Sequence, residues 1–315
     1  MNVLERTRLT RSVDARITIT NVDFSLPSEV VSVCGKTVDC GNPLQHSRGT
    51  VRRLSLNPHS LSDNDTTGNN NDETGKMLLR WLTWDVKDTL IRVRHSVGEQ
   101  YCSEARLFGI RLDPKAVDAA FQVAYKKQNA LFPNYGLAQG LSSRKWWEQM
   151  VRGTFNQCGV HEEKTLGPLA ERLYLGFCGA HNWEVFSDVE LALSECSRMG
   201  LPMGVLSNFD CRLEQILVNC GLRRFFKFVV TSESAGVAKP DKRIFQVALA
   251  HSGTPQPGLV SHIGDHYWND YKAAREVGMQ SLLLNRSGEK RSPDENVPQE
   301  HILTSLDQLV ARLQV

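Results

Sequence analysis

The sequence predicts an α/β protein, a Rossmann-like parallel sheet core with an α-helical cap inserted after strand 1. Three observations predict it. Short, continuous apolar runs recur from residue 77 onward, as in strands buried on both faces of a parallel sheet. Helix-like segments separate the later runs. Between the first run and the second lie more than a hundred residues with no convincing strand.

In chain order, the first strand is expected within Leu78–Trp84, an apolar and aromatic run closed at once by Asp85. Helices are expected over Pro114–Leu131, Ser142–Cys158 and Glu162–Phe177. In the second of these, Trp147, Met150, Val151, Thr154 and Cys158 recur at one-face spacing, which predicts a core stripe rather than a cofactor box. Asn134–Tyr135–Gly136, next to Phe132–Pro133, marks an irregular loop. Four further strands are expected at Pro202–Leu206, Phe226–Thr231, Leu259–Ile263 and Met279–Leu284, with turn signals at Gly200–Leu201–Pro202 and Pro257–Gly258. The predicted organisation is an α/β core from residues 77–95 and 187–315, a helical cap from 96–186, and an extension over 1–76. That extension contains the polar tract Ser62–Lys76, which holds too little apolar surface to offset chain entropy and predicts disorder. Met77 is the alternative start.

A chain of 315 residues makes one large or two modest domains. With 37 basic against 35 acidic residues the formal charge is +2; residues 1–76 hold nine of each sign, so the remainder is also +2. A near-neutral balance argues against nucleic acid and anionic membrane as partners. No apolar run reaches the ~18 residues of a membrane span. There is no signal for an oligomeric state. The eight cysteines are scattered without a C-x-x-C pair, which excludes a zinc ribbon or thioredoxin-type site and implies reduced thiols in a cytoplasmic setting. Arg6, Arg8, Arg11 and Arg16 make residues 1–16 an alternative mitochondrial address, against which Glu5 and Asp14 count.

Ligands of open parallel sheets gather beyond the carboxyl ends of the strands. The first strand ends in Asp85, followed by Lys87, Asp88 and Thr89; the second ends in Ser207–Asn208. Lys239 follows the third, and the fourth delivers Asp265, with Asp270 shortly after. A carboxylate is a serviceable nucleophile toward phosphorus, but it repels a phosphoryl dianion unless cations stand between them. Asp85, Asp265 and Asp270 offer the oxygen ligands that Mg²⁺ prefers. Lys239 is suited to balance charge, and the Ser207 hydroxyl to hold a nonbridging oxygen. Taken singly, Asp265 also reads as a turn residue, Asp270 as a helix cap and Lys239 as a solvated loop lysine.

The four segments Asp85-Val-Lys-Asp-Thr-Leu90, Ser207-Asn208, Lys239-Pro240-Asp241 and Gly264-Asp265-His-Tyr-Trp-Asn-Asp270 resemble, in order and spacing, the four motifs of the haloacid dehalogenase-like hydrolases. The resemblance spans essentially residues 77–315, and the helical insertion resembles the cap of that superfamily's first subclass. It implies Asp85 as nucleophile and metal ligand, Thr89, Ser207, Asn208 and Lys239 on the substrate's phosphate, and Lys239 as charge balance. It also implies Asp265, Asp270 and the Lys87 backbone carbonyl as further metal ligands. The implied cofactor is Mg²⁺ and the implied partner a small phosphorylated metabolite.

Lys87 departs from the pattern. Phosphatases of the superfamily carry there an Asp that protonates the leaving group and then activates water. Such assistance is typically worth about 10²–10⁴-fold. A lysine, with a reference pKa of about 10.4, donates a proton but is no base while charged. The expectation is that its ammonium pairs with Asp85, Asp265 or Asp270, partly replacing the metal. Three functions follow in order: a Mg²⁺-dependent phosphohydrolase impaired or specialised by Lys87, a catalytically inactive fold serving as a ligand-binding or interaction module, and a metal-independent 2-haloacid dehalogenase. Selectivity is expected in the loop Phe132–Gly136.

Overall fold

The computed structural model describes residues 79–288 and 295–313. The disorder expected of 1–76, the address in 1–16, the alternative start at Met77 and the strand position at Leu78 lie outside the described residues. From β1 (Trp81–Trp84) the chain passes through a tight loop to β2 (Ile91–Val93), then through helices α1 (Val97–Arg106), α2 (Pro114–Leu131), α3 (Ser143–Gln157) and α4 (Glu163–Gly176). It returns by β3 (Trp183–Val185), antiparallel to β2, into α5 (Val189–Arg198). There follow β4 (Met203–Ser207), α6 (Leu213–Asn219), β5 (Phe226–Thr231), α7 (Ser232–Ala235) and α8 (Lys242–Ser252). The last elements are β6 (Val260–Gly264), a π-helical turn at Tyr267–Lys272, α9 (Ala273–Glu276), β7 (Gln280–Leu284), β8 (Ile302–Leu303) and α10 (Leu309–Arg312).

The main sheet is parallel throughout, in the order β5-β4-β1-β6-β7-β8. Strands after β1 build outward through β4 and β5, and the chain then crosses back to place β6 on the other side of β1. The strand order therefore reverses at β1, which is where α/β sheets bind ligands. Leu82, Trp84, Met203, Val205 and Ile263 are buried on these central strands, packed with Leu193 of α5 and Leu213 and Ile216 of α6.

The four helices α1–α4 bury a separate cluster that includes Tyr101, Trp146, Met150, Phe155 and Leu169. Their starts have local causes. Ser96 and Glu99 form a capping box on α1, Asp113 caps α2 ahead of Pro114, and the Ser142 hydroxyl accepts from the Lys145 amide at 3.3 Å. Among the described residues, no helix is long and apolar enough to cross a membrane.

The structure sharpens one core assignment. Trp146 is the wholly buried tryptophan of α3, with Met150, Val151 and Thr154; Trp147 is half-buried, packs against the same cluster as expected, and turns its indole N–H to Asp210 of the sheet domain. Three short strands and α1 also went unpredicted. β2 and β3 have three residues each and β8 two, too few for a period to show. In the helical cluster the Phe155 ring is wholly buried and stacks on Tyr101 at 5.9 Å. Phe155→Ala is expected to destabilise by roughly 3–5 kcal/mol, read from urea unfolding as a lower midpoint at unchanged slope.

Candidate active site

Asp85 sits one residue past β1, and its carboxylate is the hub of the site. Its Oδ1 accepts from Lys239 Nζ at 2.7 Å and from the Ser207 hydroxyl at 3.0 Å, while the Thr89 hydroxyl lies 3.5 Å from Oδ2. Lys239 is 4% exposed, so its ammonium must find all its acceptors inside the protein. It donates also to Asp270 Oδ1 at 2.5 Å and to the Leu206 carbonyl at 2.9 Å, three acceptors for three protons. Asn208 fixes the Lys239 backbone from both sides. Its Oδ1 accepts from the Lys239 amide at 2.7 Å, and its Nδ2 donates to the Lys239 carbonyl at 2.9 Å.

Asp270 approaches from the π-helical turn, whose wide winding carries it back under the strand end. Its Oδ2 accepts from the His266 amide at 2.9 Å. Gly264 makes room: a Cβ there would come within 2.4 Å of the Asp270 Cγ. Asp265 is the partly exposed member of the set, and its Oδ1 accepts from the buried Thr89 hydroxyl at 3.0 Å. Ligand oxygens of Asp85, Asp265 and Asp270 all lie within 4.8 Å of one another.

Burial raises the Asp85 carboxyl above its ordinary value, with the Asp270 charge adding and Lys239 opposing. Burial, and after it the charges of Asp85 and Asp270, push the Asp265 carboxyl up to about 7. Asp270 is held low against its own burial, by Lys239 and by His262. Fully ionised, the three carboxylates would exceed the charge of the Lys239 ammonium, and two of them are pushed up accordingly. Three crowded carboxylates with hard oxygen donors fit a divalent cation such as Mg²⁺.

All eight sequence-predicted residues come to the same end of the sheet, with one correction. Lys87 does not pair with Asp85, Asp265 or Asp270. Its ammonium pairs with the neighbouring Asp88, and both side chains are half exposed. The cause is local. Asp88 has φ of 64°, a left-handed conformation that Asp tolerates, in a loop where the Asp88 amide donates to the Ile91 carbonyl at 2.7 Å. Thr89 and Ser207 are buried, their hydroxyls directed to carboxylates of the cluster.

Two residues escaped the sequence reading. His262 is fully buried on β6, with Nδ1 2.9 Å from the Thr83 hydroxyl and Nε2 3.2 Å from Asp270 Oδ1. Its only signal was a polar residue inside an apolar run. Arg286 follows β7 and joins the Thr89 carbonyl at 2.9 Å to the Asp188 carboxylate at 2.8 Å, bracing the loop after β1. Nothing in the local pattern marked it.

A family model described as haloacid dehalogenase-like hydrolase matches residues 79–278. The haloacid dehalogenase-like hydrolase domain-containing protein 3 of Danio rerio is 55% identical over 237 residues, covering 75% of this chain and 97% of that protein. Two solved structures share the fold. One is a 2-haloacid dehalogenase from Pseudomonas syringae pv. Tomato DC3000, with TM-score 0.55, 19% identity and coverage of 74% and 97%. The other is a HAD phosphatase from Thermococcus onnurineus, with TM-score 0.53, 19% identity and coverage of 75% and 100%.

Lys239→Met removes the cation that stands between the buried carboxylates of Asp85 and Asp270. In a chelated buffer it is expected to cost roughly 3–5 kcal/mol at pH 7. The sign with pH follows from the shifts. In the wild type the Asp270 carboxyl is depressed, so its contribution is present above the unfolded pKa and persists at pH 5. In the variant the buried carboxyls take up protons as pH falls, so the deficit shrinks from pH 7 to pH 5 in paired urea titrations.

Proposed function

The chain belongs to the haloacid dehalogenase-like hydrolases, and on that premise we propose that it hydrolyses small phosphorylated metabolites through Asp85 with Mg²⁺, in a form specialised by Lys87. The observation that carries this reading is the Asp85 carboxylate held by Lys239 and Ser207, with Asp265 and Asp270 in the same cluster. Displacement of a halide needs no metal, so three carboxylates whose oxygens lie within 4.8 Å of one another favour this reading over a metal-independent 2-haloacid dehalogenase.

Asp85, Asp265, Asp270 and the Lys87 backbone carbonyl would hold Mg²⁺, which when bound supplies positive charge to the phosphoryl oxygens. The Asp85 carboxylate attacks phosphorus, and the bond from phosphorus to the leaving oxygen breaks with its electron pair on that oxygen. Water then attacks the same phosphorus and the bond to Asp85 breaks, returning the carboxylate. One proton of that water ends on the departed oxygen and the other stays on phosphate. Lys239 balances the nucleophile's charge throughout and, with its three acceptors, keeps Asp85 from swinging away. The Ser207 hydroxyl is placed to turn from Asp85 to a phosphoryl oxygen. Because Lys87 stands where an acid/base carboxylate would serve, leaving groups that depart without a proton are favoured.

A second reading has one specific observation behind it. The Lys87 ammonium pairs outward with Asp88 and not with the carboxylate cluster, as suits a catalytically inactive fold acting as a ligand-binding or interaction module. The reactions to compare are acetyl phosphate or an aryl phosphate against an alkyl phosphate, with Mg²⁺ and with EDTA. The expected result is Mg²⁺-dependent turnover of the first two, weak turnover of the third, and loss of all three in Asp85→Asn. Lys87→Asp is expected to raise the alkyl rate by about 10²-fold or more. No metal-dependent turnover by folded protein, with phosphate-analogue binding retained, selects the second reading.

A further inference from the structure

Between the helical bundle and the sheet lies a cavity of about 450 Å³. Nine of its eighteen lining residues are aromatic, among them Phe121, Tyr125, Tyr135, Trp147, Tyr174 and Phe209. Its charged lining residues are Lys87 and Arg212, both basic, and no carboxylate faces it. A larger cavity beside α1 differs in kind, since Glu99 and Glu104 line it and would repel a phosphate ester.

The aromatic walls are held in place. The Arg212 guanidinium lies 4.2 Å over the Tyr174 ring and 5.1 Å over Trp147. It pairs with the buried Asp210 at 2.7 Å, and the Trp147 indole N–H donates to the same carboxylate at 2.7 Å. Arg212 is therefore neutralised where it stands and serves as a rigid plane between two rings. Asn134 and Tyr135 adopt φ of 46° and 63°, and the Asn134 side chain donates to the Ser232 carbonyl of α7 at 2.9 Å. That bond ties the loop carrying Tyr135 to the sheet domain. Strained residues fastened from outside are a form of preorganisation.

The cavity also adjoins the reacting end of the sheet. Lys87 lies two residues beyond Asp85, Asn208 directly follows Ser207, and both line it. We propose that this cavity receives the substrate's leaving group, and that the leaving group is a planar aromatic body joined to phosphorus through a phenolic oxygen. The proposal rests on the phosphohydrolase reading and narrows its substrate class to aryl phosphates. Ring faces on several sides suit a flat apolar body. A phenol, with a pKa near 10 as in tyrosine, departs as its anion far more readily than an alkoxide. It needs no acid at position 87. As the Asp85–phosphorus bond forms and the aryl oxygen–phosphorus bond breaks, the phenoxide leaves with the electron pair and takes its proton from solvent. The water that cleaves the phosphorylated Asp85 leaves its own oxygen on phosphate and releases the balancing proton.

The test compares kcat/KM for 1-naphthyl phosphate and acetyl phosphate with Mg²⁺ on the full chain. Both leaving groups depart unassisted, and their difference in intrinsic reactivity is the same for every variant, so the change in their ratio between wild type and variant reports the cavity. The wild type is expected to favour the naphthyl ester at least tenfold. Tyr125→Ala is expected to lower that ratio about tenfold and Tyr125→Phe to keep it within twofold, Tyr125 being partly exposed on α2 and open to truncation without unfolding. Calorimetry with (1-naphthylmethyl)phosphonate against methylphosphonate reads the same preference without turnover. Equal binding of the two phosphonates, or a ratio unmoved by Tyr125→Ala, overturns the proposal. Selective naphthyl binding with neither ester hydrolysed overturns the phosphohydrolase reading alone and leaves the aromatic specificity standing.

Discussion

One buried ammonium organises this molecule's working end. Lys239 stands between Asp85 and Asp270, and two unit charges a few ångströms apart exchange several kcal/mol even at an effective dielectric of about 20. Without it, β1 would end in a carboxylate facing two others with only hydroxyls to hold it. Much of the neighbouring structure supports that cation: the Leu206 carbonyl takes its third proton, and Asn208 clamps its backbone. His262 orients the far carboxylate from beneath. Buried ion pairs of this kind rarely add net stability compared with apolar residues of the same volume. Their presence at the carboxyl end of the sheet is better understood as chemistry than as packing.

How far the site could be read from sequence depends on where each signal lies. Asp85, Ser207, Lys239 and Asp265 were legible because each breaks an apolar run or follows one, and the strand end is where a parallel sheet exposes side chains. His262 lies inside such a run, and its meaning comes only from Thr83 on the neighbouring strand and from the π-helical turn that brings Asp270 back. Lys87 was legible as an anomaly but not as a direction. A left-handed residue beside it decides where the ammonium goes, and an Asp in that conformation looks from sequence like any other Asp. Trp146 and Trp147 show the limit of helical periodicity. Adjacent tryptophans sit about 100° apart on the helix, and either satisfies much of the same apolar stripe. The strands expected at the centre of the sheet formed, while the two-residue edge strand β8 and the three-residue strands of the separate β2–β3 pair carry no period to read.

The fold divides its labour along the chain. The sheet gathers charge at its carboxyl end, and the helical bundle supplies most of the rings, Trp183 and Phe209 coming from the sheet's own cluster. The chain passes between them through β2 and β3, which are hydrogen-bonded to each other. Arg286 braces the same region: it anchors to the Thr89 carbonyl and to Asp188, and it covers the Phe186 ring at 4.0 Å. The carboxylate cluster thus sits on sheet elements and most of the rings on the helices, and Lys87 stands at the boundary with its charge paired sideways to Asp88.

Gly264 has a consequence for descent as well as for geometry. Because any Cβ there would overlap the Asp270 carboxyl carbon, the two positions form one steric unit though five residues separate them. A lineage enlarging residue 264 first would pass through an overcrowded intermediate. One shortening residue 270 first would lose the partner of Lys239 and His262 before gaining anything. The route to a different donor set at this strand end runs through a double change, which single-nucleotide drift seldom supplies. The glycine and its carboxylate are therefore expected to change together or not at all, while an exposed ring of the cavity such as Tyr125 can change alone.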